Sequence, residues 1–287
     1  MNHIKSVSDI KRIMSDNNLI FHKGLGQNFL FDEHYLSAIV DCGNITKDDV
    51  VIEIGPGLGV LTTRLAEKAK KVIAIEIDNN IVPVLRELTL PCGNVEVICA
   101  DIMKTDVNSL IDNEESVKIV ANLPYYITTP IIMKLLEGKV NAKCIVVMIQ
   151  KEVADRLVAK AGSKDYGAIT LAMDYYTQSK IMFTVPSGAF IPAPKVESAV
   201  VKMDVLGSSP VEVQDEKFMF SLIRAAFGQR RKTFVNAVNS YLKVEKSQII
   251  EALKSLGFDE RIRGEVLNLH DFAKLSNFLQ NLKDIEN

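Results

Sequence analysis

A glycine-rich turn is the first feature of the chain that could carry chemistry. Residues 53–59 read Glu-Ile-Gly-Pro-Gly-Leu-Gly, after a run of β-branched residues and before a helical pattern. Glycine lets the backbone turn sharply and lets a ligand approach closely beside a helix N-terminus, so the turn predicts a nucleotide-cofactor site. The dinucleotide fingerprint is G-x-G-x-x-G, but Val60 stands where its third glycine would be. A glycine turn without any ligand is the alternative.

The G-x-G-x-G spacing, with Glu53 two positions before its first glycine, resembles the cofactor motif of S-adenosylmethionine-dependent methyltransferases. That cofactor has no pyrophosphate to hold, which fits the departure from the dinucleotide fingerprint. The resemblance implies that Gly55 and Gly57 bind the cofactor.

Two acidic residues follow the next two predicted strands. Glu76 stands 21 positions after Gly55, where its carboxylate could accept hydrogen bonds from the ribose hydroxyls of the cofactor. Asp101 could accept one from the adenine amino group, because ligands of open α/β sheets lie at the carboxyl ends of the strands. A surface charge is the alternative for Glu76, and a helix N-cap is the alternative for Asp101.

The tetrapeptide Asn122-Leu123-Pro124-Tyr125 follows the fourth predicted strand. An exocyclic amine on a base is a poor nucleophile because its lone pair is delocalised into the ring. The Asn122 side-chain oxygen and the Leu123 carbonyl could accept its two N–H bonds and favour a more tetrahedral nitrogen. Pro124 would rigidify the turn, and the Tyr125 ring would offer a face on which a base stacks. A simple turn after a strand is the alternative.

Four motifs together resemble one family, the KsgA family of bacterial small-subunit ribosomal RNA adenine N6,N6-dimethyltransferases. The similarity runs from Lys23 to about Val235. The motifs are GQNFL at residues 26–30, NLPY at 122–125, FIPAPKV at 190–196 and FGQRRKT at 227–233.

The resemblance assigns roles to residues that spacing alone does not. It implies that Asn28 and Leu30 line the cofactor pocket and that Asn122 serves both cofactor and amine. It implies that Phe190 stacks on the target adenine opposite Tyr125; an apolar residue capping a hairpin is the alternative. Three basic residues would bind RNA phosphates, with a solvated helix end as the alternative. These three residues are Arg230, Arg231 and Lys232.

The family further implies the reaction and its partners. The expected substrate is a pair of adjacent adenosines in the 3′-terminal hairpin loop of small-subunit (16S) ribosomal RNA, each dimethylated with S-adenosyl-L-methionine. The expected partner is the assembling small subunit, with a role in late assembly, and the chain is expected to act as a monomer.

Three other functions compete with this one. A large-subunit adenine dimethyltransferase of the macrolide-resistance type shares the cofactor motifs, but usually has isoleucine where Leu123 stands. An N6-adenine DNA methyltransferase usually has proline there. A ribosome-assembly factor that mainly binds is the third, although such a protein should have lost part of the catalytic motif.

Composition limits the class of protein. The 287 residues are 47% hydrophobic and 24% charged, as in soluble globular proteins. The first 18 residues carry charges throughout and have no apolar core, so they do not resemble a signal peptide. Four cysteines without a C-x-x-C pair and without a matching histidine pattern predict buried thiols and no metal site. A cytoplasmic protein is expected.

The charges are distributed unevenly along the chain. Residues 47–116 contain seven basic and thirteen acidic residues, whereas residues 217–243 contain six basic and no acidic ones. The net charge of −2 therefore conceals a basic segment, defined here as residues 217–243, that could face a polyanion.

Short β-branched runs alternate with helical patterns, which predicts a mostly parallel, Rossmann-like methyltransferase sheet with an antiparallel edge hairpin. Turn residues at 206–210 mark a linker, and apolar residues beyond it recur at helical spacing. We therefore expect a methyltransferase domain at residues 1–206 and a small all-α domain, in contact with RNA or the ribosome, at residues 211–287. The predicted strands span residues 50–54, 72–77, 95–99, 117–121, 144–149, 180–185 and 197–205, and the predicted helices 60–69, 81–88, 130–136, 218–227, 233–241, 246–256 and 270–282.

Overall fold

The computed structural model describes residue 4 and residues 6–20, 26–111 and 114–286, with side chains described up to residue 282. Lys23, where the family resemblance begins, lies outside the described residues, as do residues 1–3 and 5 of the charged N-terminal segment.

Two β-sheets are present in the part of the chain that is described. In chain order the strands are β1 (Phe29–Leu30), β2 (Val50–Ile54), β3 (Lys71–Glu76), β4 (Val95–Cys99), β5 (Val117–Asn122), β6 (Cys144–Gln150), β7 (Thr177–Val185), β8 (Phe190–Ile191) and β9 (Ser198–Val205). The main sheet has the order β4-β3-β2-β5-β6-β9-β7, and β1 pairs antiparallel with β8. The first five strands of that order are parallel, whereas β9 is antiparallel to β6. This mostly parallel sheet confirms the predicted fold class.

Helices connect and follow the strands. They are α1 (Val7–Asp16), α2 (Glu33–Cys42), α3 (Val60–Lys68), α4 (Ile81–Thr89), α5 (Thr128–Glu137), α6 (Lys151–Leu157), α7 (Ala168–Tyr176), α8 (Glu216–Gly228), α9 (Phe234–Leu242), α10 (Lys246–Ser255) and α11 (Leu269–Glu286). None of these described helices is long and apolar enough to cross a membrane.

The central strand β2 is buried along its whole length, and its neighbours β3, β5 and β6 are mostly buried. All five residues of β2 are buried, as expected for a parallel strand covered on both faces. Because such strands consist of continuous apolar runs, their limits could be predicted closely. The bounds of β2 and β4 agree with the prediction. Strands β5 and β6 each end one residue later than predicted, and β3 begins and ends one residue earlier.

The chain divides into two compact units, which are not contiguous in sequence. The first comprises Met1–Ala154 and Ser179–Val205, and the second comprises Asp155–Gln178 and Leu206–Asn287. The predicted division after residue 206 thus differs for residues 155–178. Within the second unit, the Tyr176 hydroxyl donates to the Glu216 carboxylate over 2.6 Å, so helix α7 is fastened to the beginning of helix α8.

Aromatic residues form part of the core of the second unit. Phe234 and Phe272 are fully buried, and their ring centroids lie 6.0 Å apart in an edge-to-face arrangement. The helical character predicted for the C-terminal residues is confirmed by helices α8 to α11.

Candidate functional site

An open cavity lies at the carboxyl ends of strands β2, β3 and β5. The parallel strands bring together at this edge residues that are far apart in sequence. Every predicted cofactor residue lines the cavity, namely Asn28, Leu30, Gly55, Gly57, Glu76, Asp101 and Asn122. Leu123, Pro124 and Tyr125 line it as well.

The glycine turn has the backbone that its sequence predicted. Gly57 has a φ of 57°, and its N–H donates to Glu76 Oε2 over 3.0 Å. A Cβ atom at this position would lie 2.5 Å from Cε1 of Phe29, so the ring of Phe29 closes over the turn. Glycine is required at position 57 for both its conformation and its size.

Glu76 is held by three backbone donors. Its Oε1 accepts from the N–H groups of Ile77 and Asp78, each over 2.9 Å, while Oε2 accepts from Gly57. The side chain is buried, and burial raises the pKa of its carboxyl although the three hydrogen bonds lower it. These contacts fix the carboxyl in the cavity wall, where its remaining lone pairs can accept from a ribose.

Glu53 is a buried carboxyl at the end of β2 to which the sequence assigned no role of its own. It is 2% exposed and lines the cavity, and its Oε2 has no hydrogen-bond partner among the described residues. Burial raises the pKa of Glu53 to about 8; the Thr62 hydroxyl lowers it, and the nearby charge of Glu76 raises it further. An unsatisfied buried carboxyl oxygen beside a cavity is suited to a positively charged or hydrogen-bond-donating ligand.

Asp101 combines a structural contact with a place in the cavity. Its Oδ1 accepts from the N–H of Met103 over 2.8 Å, which stabilises the turn after β4. Its Oδ2 lies 4.0 Å from Lys104 Nζ. Residues 102–104 form a turn and not a helix, so the helix N-cap alternative is wrong. Apart from the distant Lys104, the second carboxylate oxygen can face a ligand.

Asn122 is oriented by Asn28, the residue before strand β1. Its Nδ2 donates to the carbonyl of Asn28 over 2.9 Å, so Oδ1 is the atom of this amide left to accept a hydrogen bond. The N–H of Leu123 donates to Met148 in the neighbouring strand β6 over 3.1 Å, and among the described residues its carbonyl accepts no hydrogen bond. The two acceptors predicted to bind an amine are therefore both available.

Pro124 and Tyr125 complete the turn before helix α5. The Pro124 carbonyl accepts from the Ile127 N–H over 3.2 Å and from the Thr128 hydroxyl over 3.0 Å. The Tyr125 hydroxyl lies 2.6 Å from Ser198 Oγ, and burial raises the pKa of the phenol. Tyr125 is therefore a protonated, half-buried ring at the wall of the cavity.

Phe190 is not brought to the cavity lining. The side chain is 4% exposed and belongs to the hydrophobic core of the first unit. Its strand β8 pairs with β1, so that Phe190 lies opposite Leu30. This position matches the alternative of an apolar cap; the stacking role opposite Tyr125 stays a prediction that requires the ring to leave the core.

The three predicted RNA-binding residues lie in the second unit and differ in their contacts. Arg230 donates to the carbonyls of Lys164 and Tyr166 over 3.0 and 3.1 Å, and its guanidinium lies 3.5 Å from the Glu265 carboxylate. Arg231 and Lys232 are exposed. The structure thus gives Arg230 a role in holding its own unit together.

Two contacts in the first unit were not indicated by the spacing of motifs. Gln27 Nε2 donates to Asp78 Oδ2 over 3.0 Å, and the fully buried Ser198 contacts Tyr125. Each contact joins residues more than 50 positions apart, so only a fold could reveal it.

Comparisons with known proteins place the chain in a family. The family model described as ribosomal RNA adenine dimethylase matches residues 18–281. A protein of Alkaliphilus oremlandii named ribosomal RNA small subunit methyltransferase A is 47% identical over 97% of this chain and 99% of its own length. A protein of the same name from Clostridium acetobutylicum is 48% identical over 93% of this chain and 96% of its length.

Solved structures share the fold. A dimethyladenosine transferase of Plasmodium falciparum has a TM-score of 0.74 and 30% identity, over 85% of this chain and 94% of that one. The 23S rRNA methyltransferase ErmE has a TM-score of 0.67 and 23% identity, over 88% of this chain and 99% of that one, which shows a common fold.

The cofactor of this fold and family is S-adenosylmethionine, and the cavity fits its groups. The orphaned oxygen of Glu53 and the fixed carboxyl of Glu76 suit a ligand that combines positive charge with ribose hydroxyls. The glycine turn allows close approach of the backbone, and Asp101 retains an acceptor for the adenine amino group. With this site, and with a family model that matches most of its length, the chain belongs to the ribosomal RNA adenine dimethylase family.

Proposed function

We propose that the chain dimethylates the N6 amines of two adjacent adenosines in the 3′-terminal hairpin loop of small-subunit ribosomal RNA. The observation that carries the proposal is the pair of available acceptors at the end of β5, Asn122 Oδ1 and the Leu123 carbonyl, in the wall of the cofactor cavity. Relatives at 47–48% identity are named as small-subunit methyltransferases, which supports the choice of subunit.

The mechanism follows from the positions of these acceptors. S-adenosylmethionine supplies an electrophilic methyl group on its sulfonium. Asn122 and Leu123 accept the two N–H bonds of the target amine, which opposes delocalisation of the nitrogen lone pair into the base. The cavity orients this lone pair for in-line attack, so positioning rather than a strong base lowers the barrier.

Tyr125 holds the base through its ring. Its phenol is protonated and bonded to Ser198, so the ring contributes a stacking surface and no base. An unstacked loop base is the accessible kind of substrate for such a site. We assign the opposite face of the adenine to Phe190, which would have to move out of the core.

The second methylation makes a different demand on the same residues. After the first transfer the amine has one N–H, so Asn122 and the Leu123 carbonyl compete for a single proton. The cavity must also accommodate the new methyl group beside the departing sulfur.

Arg231 and Lys232 would bind phosphates of the RNA, since both are exposed and belong to the basic segment. We further assign the assembling small subunit as the partner, a role in late assembly, action as a monomer and a cytoplasmic location, where ribosomal RNA is modified in bacteria.

The test is methyl transfer from labelled S-adenosylmethionine to small subunits of a strain that lacks the modification. We expect N6,N6-dimethyladenosine by nucleoside mass, and its loss in the Asn122→Ala variant. Dimethylation of large-subunit RNA alone would overturn the proposal in favour of the resistance-type enzyme. Cofactor binding without transfer to either subunit would overturn it in favour of an assembly factor.

A further inference from the structure

Ser198 contacts a cavity residue whose ring orientation the backbone does not determine. Hydrogen bonds to the Pro124 carbonyl fix the turn that carries Tyr125, but the ring can still rotate about its side-chain bonds. The Tyr125 hydroxyl lies 2.6 Å from Ser198 Oγ. This distance is typical of a strong O–H···O hydrogen bond.

The oxygen of Ser198 is itself fixed to the main sheet. Ser198 is completely buried and is the first residue of β9, where it pairs with Gln150 at the end of β6. One residue earlier, the Glu197 carbonyl accepts from the Lys151 N–H over 3.0 Å. The backbone that carries the hydroxyl is therefore held by pairing with the end of β6 and with the residue that follows it.

The topology explains why this anchor controls the ring. Tyr125 leaves the sheet after β5, and β6 lies between β5 and β9. The contact between the two hydroxyls therefore joins the two strands that flank β6. Ser198 does not itself line the cavity, so it can act on a substrate only through Tyr125.

We propose that Ser198 is a positioning residue that holds the Tyr125 ring at the angle required to stack on the target adenine. The inference rests on the proposed function of Tyr125 as a stacking surface. It assigns the Tyr125 hydroxyl to anchoring alone, which agrees with a phenol that stays protonated because burial raises its pKa.

The test compares Ser198→Ala, Tyr125→Phe and the double variant. Tyr125→Phe keeps the ring and removes the anchor, so both single variants should lower kcat for methyl transfer by about 2- to 12-fold, the value of one net hydrogen bond. Since both remove the same contact, the double variant should be no slower than the slower single variant. The Kd for S-adenosylmethionine should stay at the wild-type value.

Stacking can also be observed directly. In complexes with an RNA hairpin that carries 2-aminopurine at the target position, the Tyr125 ring should quench the fluorescence. We expect less quenching in Ser198→Ala and in Tyr125→Phe. Ser276→Ala is the matched control, because Ser276 is equally buried and its hydroxyl has no partner among the described residues.

Several results would overturn the inference. These are a wild-type kcat in either single variant, losses that multiply in the double variant, or equal quenching in wild type and Ser198→Ala. If Ser198→Ala does not fold, a wild-type kcat in Tyr125→Phe still overturns it and a reduced one supports it. Absence of transfer to small subunits by the wild-type protein would instead contradict the proposed function.

Discussion

At the scale of single residues, the site contains a carboxyl in an unusual state. Glu53 is buried at the end of a central strand, and one of its oxygens has no partner among the described residues. Its pKa of about 8 means that it carries a proton at neutral pH. A cationic ligand nearby would favour the ionised form, so this carboxyl can respond to the cofactor.

The raised pKa of Glu53 predicts a specific pH dependence of stability. The folded protein holds the proton up to about pH 8, whereas a glutamate in an unfolded chain releases it with an ordinary pKa of about 4.3. The stability that the bound proton of Glu53 contributes is therefore complete below about pH 4.3. It is lost as the pH rises towards 8. Glu53→Gln should show a smaller fall in the free energy of unfolding between pH 5 and 8, measured by urea denaturation without cofactor.

A surface carboxylate provides the control for this measurement. Glu87 lies on helix α4 and is exposed, so Glu87→Gln should retain the wild-type slope. Glu76 also has a raised pKa, so part of the fall in the free energy of unfolding with pH will remain in every variant. Identical slopes for Glu53→Gln and Glu87→Gln would contradict the buried, protonated state of Glu53.

At the scale of elements, two residues at strand β1 connect the glycine turn with Asn122, namely Asn28 and Phe29. The ring of Phe29 packs against Gly57, and the neighbouring Asn28 carbonyl accepts from Asn122. Strand β1, which contains Phe29, is in turn paired with β8. A change in the turn should therefore affect the orientation of the Asn122 amide as well as the cofactor.

Gly57→Ala tests this connection. A non-glycine residue at positive φ costs roughly 1–2 kcal/mol, and the added Cβ would also displace the Phe29 ring. We expect the Kd for S-adenosylmethionine, measured by calorimetry, to rise about tenfold or more, equivalent to roughly 1.4 kcal/mol. The free energy of unfolding should also decrease.

A variant at Gly93 separates the cost of a positive φ from the displacement of the Phe29 ring. It has a φ of 73°, but a Cβ added at this position would have no atom within 4 Å. Gly93→Ala should therefore show the conformational cost alone and leave cofactor binding unchanged. Equal cofactor affinities in the two alanine variants would show that contact with Phe29 does not matter.

The elements also show how far a sequence can predict this fold. Strands β2 to β6 were predictable because burial on both faces requires continuous apolar runs. Strands β1 and β8 contain two residues each, too few to show any period. Helices α6 and α7 flank a polar, glycine-containing stretch at residues 158–167, which hides their helical spacing.

The site was predictable where chemistry and spacing coincide. The glycine turn, Glu76, Asp101 and the tetrapeptide after β5 all follow strand ends, and parallel strands bring those ends together. Contacts that depend on tertiary pairing were not predictable, such as Ser198 with Tyr125. The burial of Phe190 against β1 depends on the same kind of pairing.

At the scale of the whole molecule, the division of charge predicts how RNA binding depends on salt. The basic segment contains no acidic residue of its own, but Glu265 from elsewhere in the second unit lies 3.5 Å from Arg230. Arg230 is also exposed, but a guanidinium engaged in this way has fewer N–H groups left for phosphate than the side chains of Arg231 and Lys232. Sequence proximity therefore does not make Arg230, Arg231 and Lys232 equivalent.

Single alanine variants should separate these three residues by two measurements. Arg231→Ala and Lys232→Ala should each reduce the slope of log Kd against log salt by about 0.7–0.9, the value for one phosphate contact. Their free energies of unfolding should stay within about 0.5 kcal/mol of wild type, because both side chains are exposed. Arg230→Ala should instead lose about 1 kcal/mol or more of stability, since it removes bonds to the carbonyls of Lys164 and Tyr166.

Lys254→Ala, on helix α10 outside the basic segment, is the control for a general loss of positive charge. It should leave the salt slope unchanged. If all four variants lowered the slope equally, RNA would be attracted by net charge and not by this surface. If Arg230→Ala lowered the slope while keeping wild-type stability, its guanidinium would bind phosphate, and its contacts within the second unit would be incidental. Slope and stability together therefore decide whether each cation of the segment serves the RNA or the fold.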